Sequence, residues 1–457
     1  MSTSPSNVPL TPAKPARIVS LDQFRGYTVA GMFLVNFLGG FDHCPQVLKH
    51  SHNYLSYADT IMPQFLFAVG FAFRLTFGRR SKTAGLGAAY RRVVTRFVGL
   101  MLVAVVVYGA GRDAANWDEL KHMGLWSLYS PMKREWFQTL MHIALTAVWI
   151  TPVIRASIPL RIGYMIFSAV LNIFLSHWFN SEWCTTSPNV IDGGPIGILT
   201  WAVPALLGTL VCDAVAGAEG RPNLAKMFAW GVAITALGWL MTCGTRLYDL
   251  NESQMADLRQ RIEEQGKRRG EINKQVEPLA KQRGELRKKI NNITVQLEGR
   301  LAVDRVEDEA KRKELIAERK VLTEKDHALR AQIEEITAPL HQFRGPFREL
   351  KLAEDPVFPS QERIDALKAR FNEQGWKAIV AEPPFVYPPH DKPGPGGRSR
   401  MMREWNYWMV SQRQGTLSYT VISGGISIIV YAFFYIFCDI LGWQLGLRQF
   451  ALRTRIP

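Results

Sequence analysis

Residues 196–216 read IGILTWAVPALLGTLVCDAVA, an apolar run with a single charged side chain, Asp213. A bilayer core about 30 Å thick is crossed by a helix of about 20 mainly apolar residues, so this run is long enough to span. Similar runs lie on both sides of it. Val93–Gly111, Trp136–Ile154, Leu160–Phe179, Ala225–Cys243 and Leu417–Trp443 match well, and Tyr27–Phe41 and Ala58–Gly78 less fully. The expected fold is therefore all-α, a polytopic transmembrane helix bundle of about eight spans. The mean hydropathy of −0.04 conceals this. It averages the apolar region 27–245 with residues 250–405, which hold most of the charged side chains.

The bilayer is thus the first expected partner, and the loops set the orientation. Arg79, Arg80, Lys82, Arg91, Arg92 and Arg96 lie between the second and third spans. Arg155 and Arg161, then Arg221 and Lys226, then Arg448, Arg453 and Arg455 repeat the pattern at alternate ends. Phe41–Tyr57 holds only Lys49, and Asn180–Pro195 holds no Lys or Arg. Lysine and arginine collect in cytoplasmic loops, so both termini are expected in the cytoplasm and the long segment after the seventh span outside. The net charge of +15 is then loop cations plus a lysine-rich helix, and no nucleic-acid partner is expected. Residues 1–17, rich in Ser, Pro and Thr, read as a disordered tail without a secretory signal, so the first span serves as its own insertion signal.

The bundle is expected over 18–249, with the last span and a cytoplasmic tail over 406–457. Between them, Ile272, Leu279, Leu286 and Ile293 repeat every seven residues, joined by Val276, Ile290 and Leu297. Leu315, Leu322, Leu329 and Ile336 repeat with the same period, displaced by one residue. Such seams predict a coiled-coil insertion over 250–345, folded as an antiparallel hairpin about Gly299–Glu309. It reads as a spacer, or as a surface for self-association or for an envelope protein. The prolines gathered in 354–398 predict an extended linker, placed at 346–405.

Polar side chains within or beside spans are costly and have a reason to be there. Asn36 sits near the outer end of the first span and Asp59 opens the second, followed by Pro63. The loop between them holds His43, His50 and His52 beside Lys49. The three histidines follow no familiar metal spacing, so no metal is expected. Each reads first as a solvated loop residue, with His50 the one of catalytic interest. Helix capping and interhelical hydrogen bonding account for Asn36 and Asp59 equally well. Cys44 and Cys184 both fall in expected external loops, which leaves a disulfide between them open.

The ordered set SLDQFRG (20–26), VNFLGG (35–40), Lys49-His50, YADTIMP (57–63) and FLFAVG (65–70) resembles the opening of heparan-α-glucosaminide N-acetyltransferase and its bacterial relatives. DGGPIGILT (192–200) is similar to a segment before a span in the same transmembrane acyltransferase family. The resemblance covers roughly residues 18–245 and 406–445. It implies acetyl transfer from cytoplasmic acetyl-CoA to an extracytoplasmic sugar acceptor, in a bacterial inner membrane. It also implies His50 as the catalytic residue, flanked by Asn36 and Asp59. Imidazole is largely neutral at pH 7 and can attack a thioester or deprotonate an acceptor, Asp59 can orient it, and Asn36 can donate to the oxyanion. Arg25 and Arg74, at cytoplasmic span ends, are the candidates for the phosphates of acetyl-CoA. The chain departs from the family in its insertion, in ending before the family's further spans, and in a His50–Asp59 spacing one residue shorter than in human-type enzymes. That spacing leaves His52 open beside His50. A truncated or inactive member, a transporter or flippase on a similar bundle, and a non-catalytic envelope scaffold are the rival readings.

Overall fold

A computed structural model of the chain describes residues 18–41, 43–51, 53–109, 131–186, 190–217, 220–298, 308–349, 352–387 and 403–443. The expected N-terminal tail, the C-terminal tail beyond 443, His52 and most of the turn expected at Gly299–Glu309 lie outside these residues. Helices occupy all eight expected spans: α1 Val19–Leu38, α2 Tyr57–Thr83, α3 Leu86–Gly109, α4 Thr139–Ile150, α5 Ile158–Leu175, α6 Gly197–Ala216, α7 Leu224–Thr242 and, after the insertion, Leu417–Tyr435. Among the described residues no β-strand forms; the only β-pairs are the isolated bridges Asp249–Arg403 and Leu352–Trp405. Among the described residues five helical stretches, fewer than the eight expected spans, are long and apolar enough to cross a membrane: Tyr57–Thr83, Ile158–Thr185, Gly194–Ala216, Leu224–Tyr248 and Leu417–Ile440.

Two compact units emerge. The larger comprises residues 1–248, 355–401 and 406–457. Its centre is α6, which packs on α2, α4, α5 and the last span. Within its apolar window 78% of the residues are buried, against 17% for α5 and 17% for α7. A helix apolar all round belongs inside, while one whose apolar side chains remain exposed faces lipid. Gly70 of α2 and Gly208 of α6 permit close contact: a Cβ at Gly70 would strike the Ala205 carbonyl, and one at Gly208 the Phe67 carbonyl. Small residues at crossings let membrane helices approach backbone to backbone.

The larger unit also holds a part-buried ion cluster. Arg161, with no exposed surface, donates to Asp213 and to Thr209 Oγ1 at 2.8 Å. Arg74 donates to both oxygens of Asp213, at 2.8 and 3.1 Å, and to the Ile154 carbonyl. Three helices, α2, α5 and α6, are thereby pinned together. The disulfide left open between Cys44 and Cys184 does not form: both are free, and Cys184 is buried.

The smaller unit comprises residues 249–354 and 402–405. Two long helices, α8 Glu252–Glu298 and α9 Glu309–Glu349, pack on each other. Arg283 Nε donates to Asp326 Oδ1 at 2.9 Å, a pair about equally far from the end where the helices connect, so the two run antiparallel. Ile293 and Leu297 are buried, and the expected row Ile272, Val276, Leu279, Leu286 and Ile290 is less exposed than its neighbours.

The linker expected over 346–405 is in part folded, and its middle belongs to the larger unit. Gln361–Gln374 forms helix α10. Val357 joins the main apolar core, and its carbonyl accepts from Trp408 Nε1 at 2.9 Å. Tyr248 Oη donates to the Asp355 carbonyl at 2.7 Å. Prolines at 383, 384, 388 and 389 suggested extension, but Val357, Ala378 and Ala381 supply enough apolar surface to bury.

Candidate active site

The second span begins with Ser56 as its N-cap. Ser56 Oγ accepts from the Asp59 backbone N–H at 3.3 Å, and Asp59 Oδ2 accepts in return from the Ser56 N–H at 3.0 Å. This reciprocal box satisfies two backbone donors that a helix start leaves open. It also fixes the Asp59 carboxylate, which is 1% exposed. Four residues later, Pro63 has no N–H to give to the Asp59 carbonyl. The phenol of Tyr419, from the last span, supplies the missing bond at 2.7 Å. A carbonyl left unpaired in an apolar interior would be unfavourable by several kcal/mol.

The same carboxylate turns toward the preceding loop. Oδ1 lies 2.9 Å from His50 Nδ1, and both oxygens accept from the Ser51 N–H, at 3.3 and 3.1 Å. A carboxylate can only accept, so Nδ1 carries the proton and Nε2 keeps its lone pair. The His50 side chain is 40% exposed, whereas its partner is sealed. Burial lowers the imidazole pKa, but the hydrogen bond and charge of Asp59, with the charge of Asp192, outweigh it and leave the value above the ordinary one.

Asp192 was quoted in the sequence only as part of a motif, and the fold brings it into the electrostatic reach of His50. It is fully buried, and its backbone is left-handed at φ 59°, a conformation that non-glycine residues seldom adopt. Gln412 Nε2 donates to Oδ1 at 3.1 Å and Trp201 Nε1 to the backbone carbonyl at 2.8 Å. Next to it, Gly193 at φ 85° packs against the Gly197 Cα and the Gln414 carbonyl, which leaves no room for a Cβ. Burial pushes the Asp192 carboxyl up to about 6, against the donation from Gln412. Trp201 packs edge-on against Tyr419 with ring centroids 5.7 Å apart, so one aromatic pair supports both Asp59 and Asp192. The consecutive residues Asp-Gly-Gly signalled a tight turn, but nothing in their spacing told which histidine the carboxyl would face.

The other expected site residues are dispersed. Asn36 is exposed on the last turn of α1, and its side chain makes no hydrogen bond among the described residues. His43 is exposed. Arg74 is occupied by Asp213, so its guanidinium faces an internal carboxylate. Arg25 lines a small pocket between α1, α2 and α3 with Arg96, Val69 and Phe97. No group of three or more His, Cys, Asp or Glu residues that could hold a metal occurs among the described residues.

A multi-pass membrane protein that holds a half-open histidine against a sealed aspartate is defined by this fold and site. Residues 17–216 match the family described as heparan-alpha-glucosaminide N-acetyltransferase, catalytic, and so include α1 to α6 with His50, Asp59 and Asp192. Comparison with curated proteins gives no match. That region, a little under half of the chain, is similar to the catalytic domain of this acyltransferase family.

Proposed function

We propose that the chain transfers an acetyl group from cytoplasmic acetyl-CoA to an amino- or hydroxyl-bearing sugar on the extracytoplasmic side of a bacterial inner membrane. The observation that carries this reading is the His50–Asp59 pair, 2.9 Å apart, within the matched catalytic domain. Nε2 of His50 is the reacting atom. It either attacks the thioester carbonyl, expelling the thiolate, and the acetyl-imidazole so formed gives its acetyl group to the acceptor, whose proton goes to the thiolate; or it takes the acceptor's proton as the acceptor attacks, the carbon–sulfur bond breaks and the imidazolium returns that proton to the leaving thiolate. Asp59 holds the ring and stabilises the imidazolium as it forms. Arg25 and Arg96, which share a pocket, are the cations offered to the donor's phosphates, while Arg74 is committed to the fold. Asn36 is kept as the candidate oxyanion donor, an assignment that requires substrate to draw it toward His50. The test is incubation of the purified protein with labelled acetyl-CoA and envelope glycans. Labelled glycan supports the proposal, and unmodified donor and glycans alone would end it.

The pH dependence follows from the same pair. Neutral Nε2 is the active form, so the rate falls as pH drops through the folded pKa of His50, which lies above its ordinary value of about 6.5. Asp59→Asn removes the charge that raises it, while the burial that lowers it persists. The acidic limb of kcat should therefore move to lower pH, with the plateau about 10²- to 10⁴-fold lower because the ring loses its orienting partner. A limb that stays in place would show that another group sets it.

For topology, the proposal puts both termini in the cytoplasm and α8 and α9 outside. Ser253→Cys, at an exposed position, should then react with a membrane-impermeant thiol reagent in intact cells. Reaction only after permeabilisation would invert the arrangement.

A further inference from the structure

The loop that presents His50 is held by a part of the chain outside the matched region. Residues 376–387 leave α10 and run along the end of α7: Trp239 Nε1 donates to the Ala381 carbonyl at 3.2 Å and Arg246 Nε to the Ala378 carbonyl at 3.2 Å. Arg246 Nη1 also lies 3.6 Å from Glu382 Oε1. Beyond this anchor the segment reaches the histidine loop. The Leu55 N–H donates to the Pro384 carbonyl at 2.6 Å, and the rings of Tyr54 and Tyr387 pack with centroids 4.2 Å apart. Tyr54 and Leu55 are buried, at 8% and 3% exposure, and Leu55 also belongs to the apolar cluster of Met62, Leu66 and Tyr419.

We propose that residues 381–387 form a strap that positions His50, with Tyr387 and Pro384 as its positioning residues. The relay is short. Pro384 fixes Leu55, Leu55 adjoins the N-cap Ser56, Ser56 holds the Asp59 carboxylate through its N–H and its Oγ at 2.9 Å, and that carboxylate holds Nδ1. Tyr54, packed on Tyr387, closes the same loop between His50 and the cap. A loop with an exposed histidine is otherwise free to wander, and a catalytic group displaced by about 1 Å can lose about 10²-fold in rate. The strap is delivered by the chain returning after α8 and α9. The segment following the insertion therefore completes the site and does more than rejoin the last span.

This inference rests on the acyltransferase reading for its rate, and on geometry alone for its labelling. The charged groups that face His50 are Asp59 from α2 and Asp192 from the turn before α6, with Lys49 beside it in the chain. Tyr387→Ala should lower kcat about 10- to 100-fold, leave KM for acetyl-CoA unchanged, and shift the acidic limb of kcat down toward about 6.5 as the Asp59 contact loosens. Tyr387→Phe keeps the ring and should behave as the parent. The second readout is carbethoxylation by diethyl pyrocarbonate at pH 6, followed by mass spectrometry. His43, an exposed histidine, is the internal standard. Tyr387→Ala should raise the His50-to-His43 labelling ratio at least about twofold, because more of the imidazole is neutral and reachable. If Tyr387→Ala does not give monodisperse protein, Tyr387→Leu, which keeps apolar bulk without the ring, takes its place with the same expectation. An unchanged labelling ratio with an unchanged pH limb overturns the strap. A parent that transfers no acetyl group overturns the acyltransferase reading, while the labelling ratio still decides the strap.

Discussion

His50→Ala is expected to abolish acetyl transfer while expression and acetyl-CoA binding stay close to the parent. The side chain is 40% exposed and supports no core packing, so its removal leaves the bundle intact. Its loss removes the Nε2 lone pair that handles the acetyl group or the acceptor proton, worth about 10²- to 10⁴-fold in rate, and more where the nitrogen is the nucleophile. Groups that act in the transition state change kcat without a matching change in ground-state affinity. The measurement is steady-state transfer of labelled acetyl groups, beside equilibrium binding of acetyl-CoA. His43→Ala should be near neutral. A His50→Ala protein at full rate would remove the histidine from the chemistry, and a dead His52→Ala protein beside it would move the assignment two residues along the loop.

The second large effect is on stability. Asp213→Ala leaves the Arg161 guanidinium buried with only Thr209 Oγ1 to receive it, and strips Arg74 of its carboxylate. Removing one partner of a buried pair is unfavourable by about 3–5 kcal/mol. The lower end applies here because Asp213 is 27% exposed. A loss of about 3 kcal/mol corresponds to a fall in Tm of roughly 4 °C for a unit of this size, since unfolding entropy grows with chain length. Thermal unfolding in detergent, followed by tryptophan fluorescence, reads it. Arg161→Leu in the same protein should recover part of the loss, since a well-packed apolar residue replaces a stranded charge. An Asp213→Ala protein that melts with the parent would mean that water reaches Arg161 and that the cluster does not pin α2, α5 and α6.

Apolar run length carried most of the fold in the sequence, because span length is fixed by membrane thickness and needs no tertiary information. In the insertion, where the seven-residue rows suggested a coiled coil, the two long helices α8 and α9 pack on each other. Failure came where composition and packing disagree. Residues 354–387 are proline-rich, and local chemistry argued for an extended linker, yet Val357, Ala378 and Ala381 are buried against distant parts of the chain. The candidate site divides in the same way. His50 and Asp59, nine residues apart, were named together through the family resemblance, and a loop and a helix start bring them together locally. Asp192, Tyr419 and Tyr387 reach the site only through long-range packing, which no spacing encodes. Arg74 looked like a loop-side cation, but its carboxylate partner stands 139 residues away.

Tyr419 gives the site a history as well as a geometry. Its phenol meets the Asp59 carbonyl across 360 residues of sequence. The backbone N–H groups of Val19 and Ser20, at the start of the first span, similarly wait for the carboxylate of Asp439, at 3.1 and 3.2 Å. Synthesis at about 5–20 residues per second separates Asp59 from Tyr419 by about 20–70 s. Throughout that interval the first two spans sit in the bilayer with a helix start uncapped at one end and a proline-freed carbonyl at the other. Nascent chains halted before residue 417 should be recognised by membrane quality control as unfinished, and those halted after 439 should not.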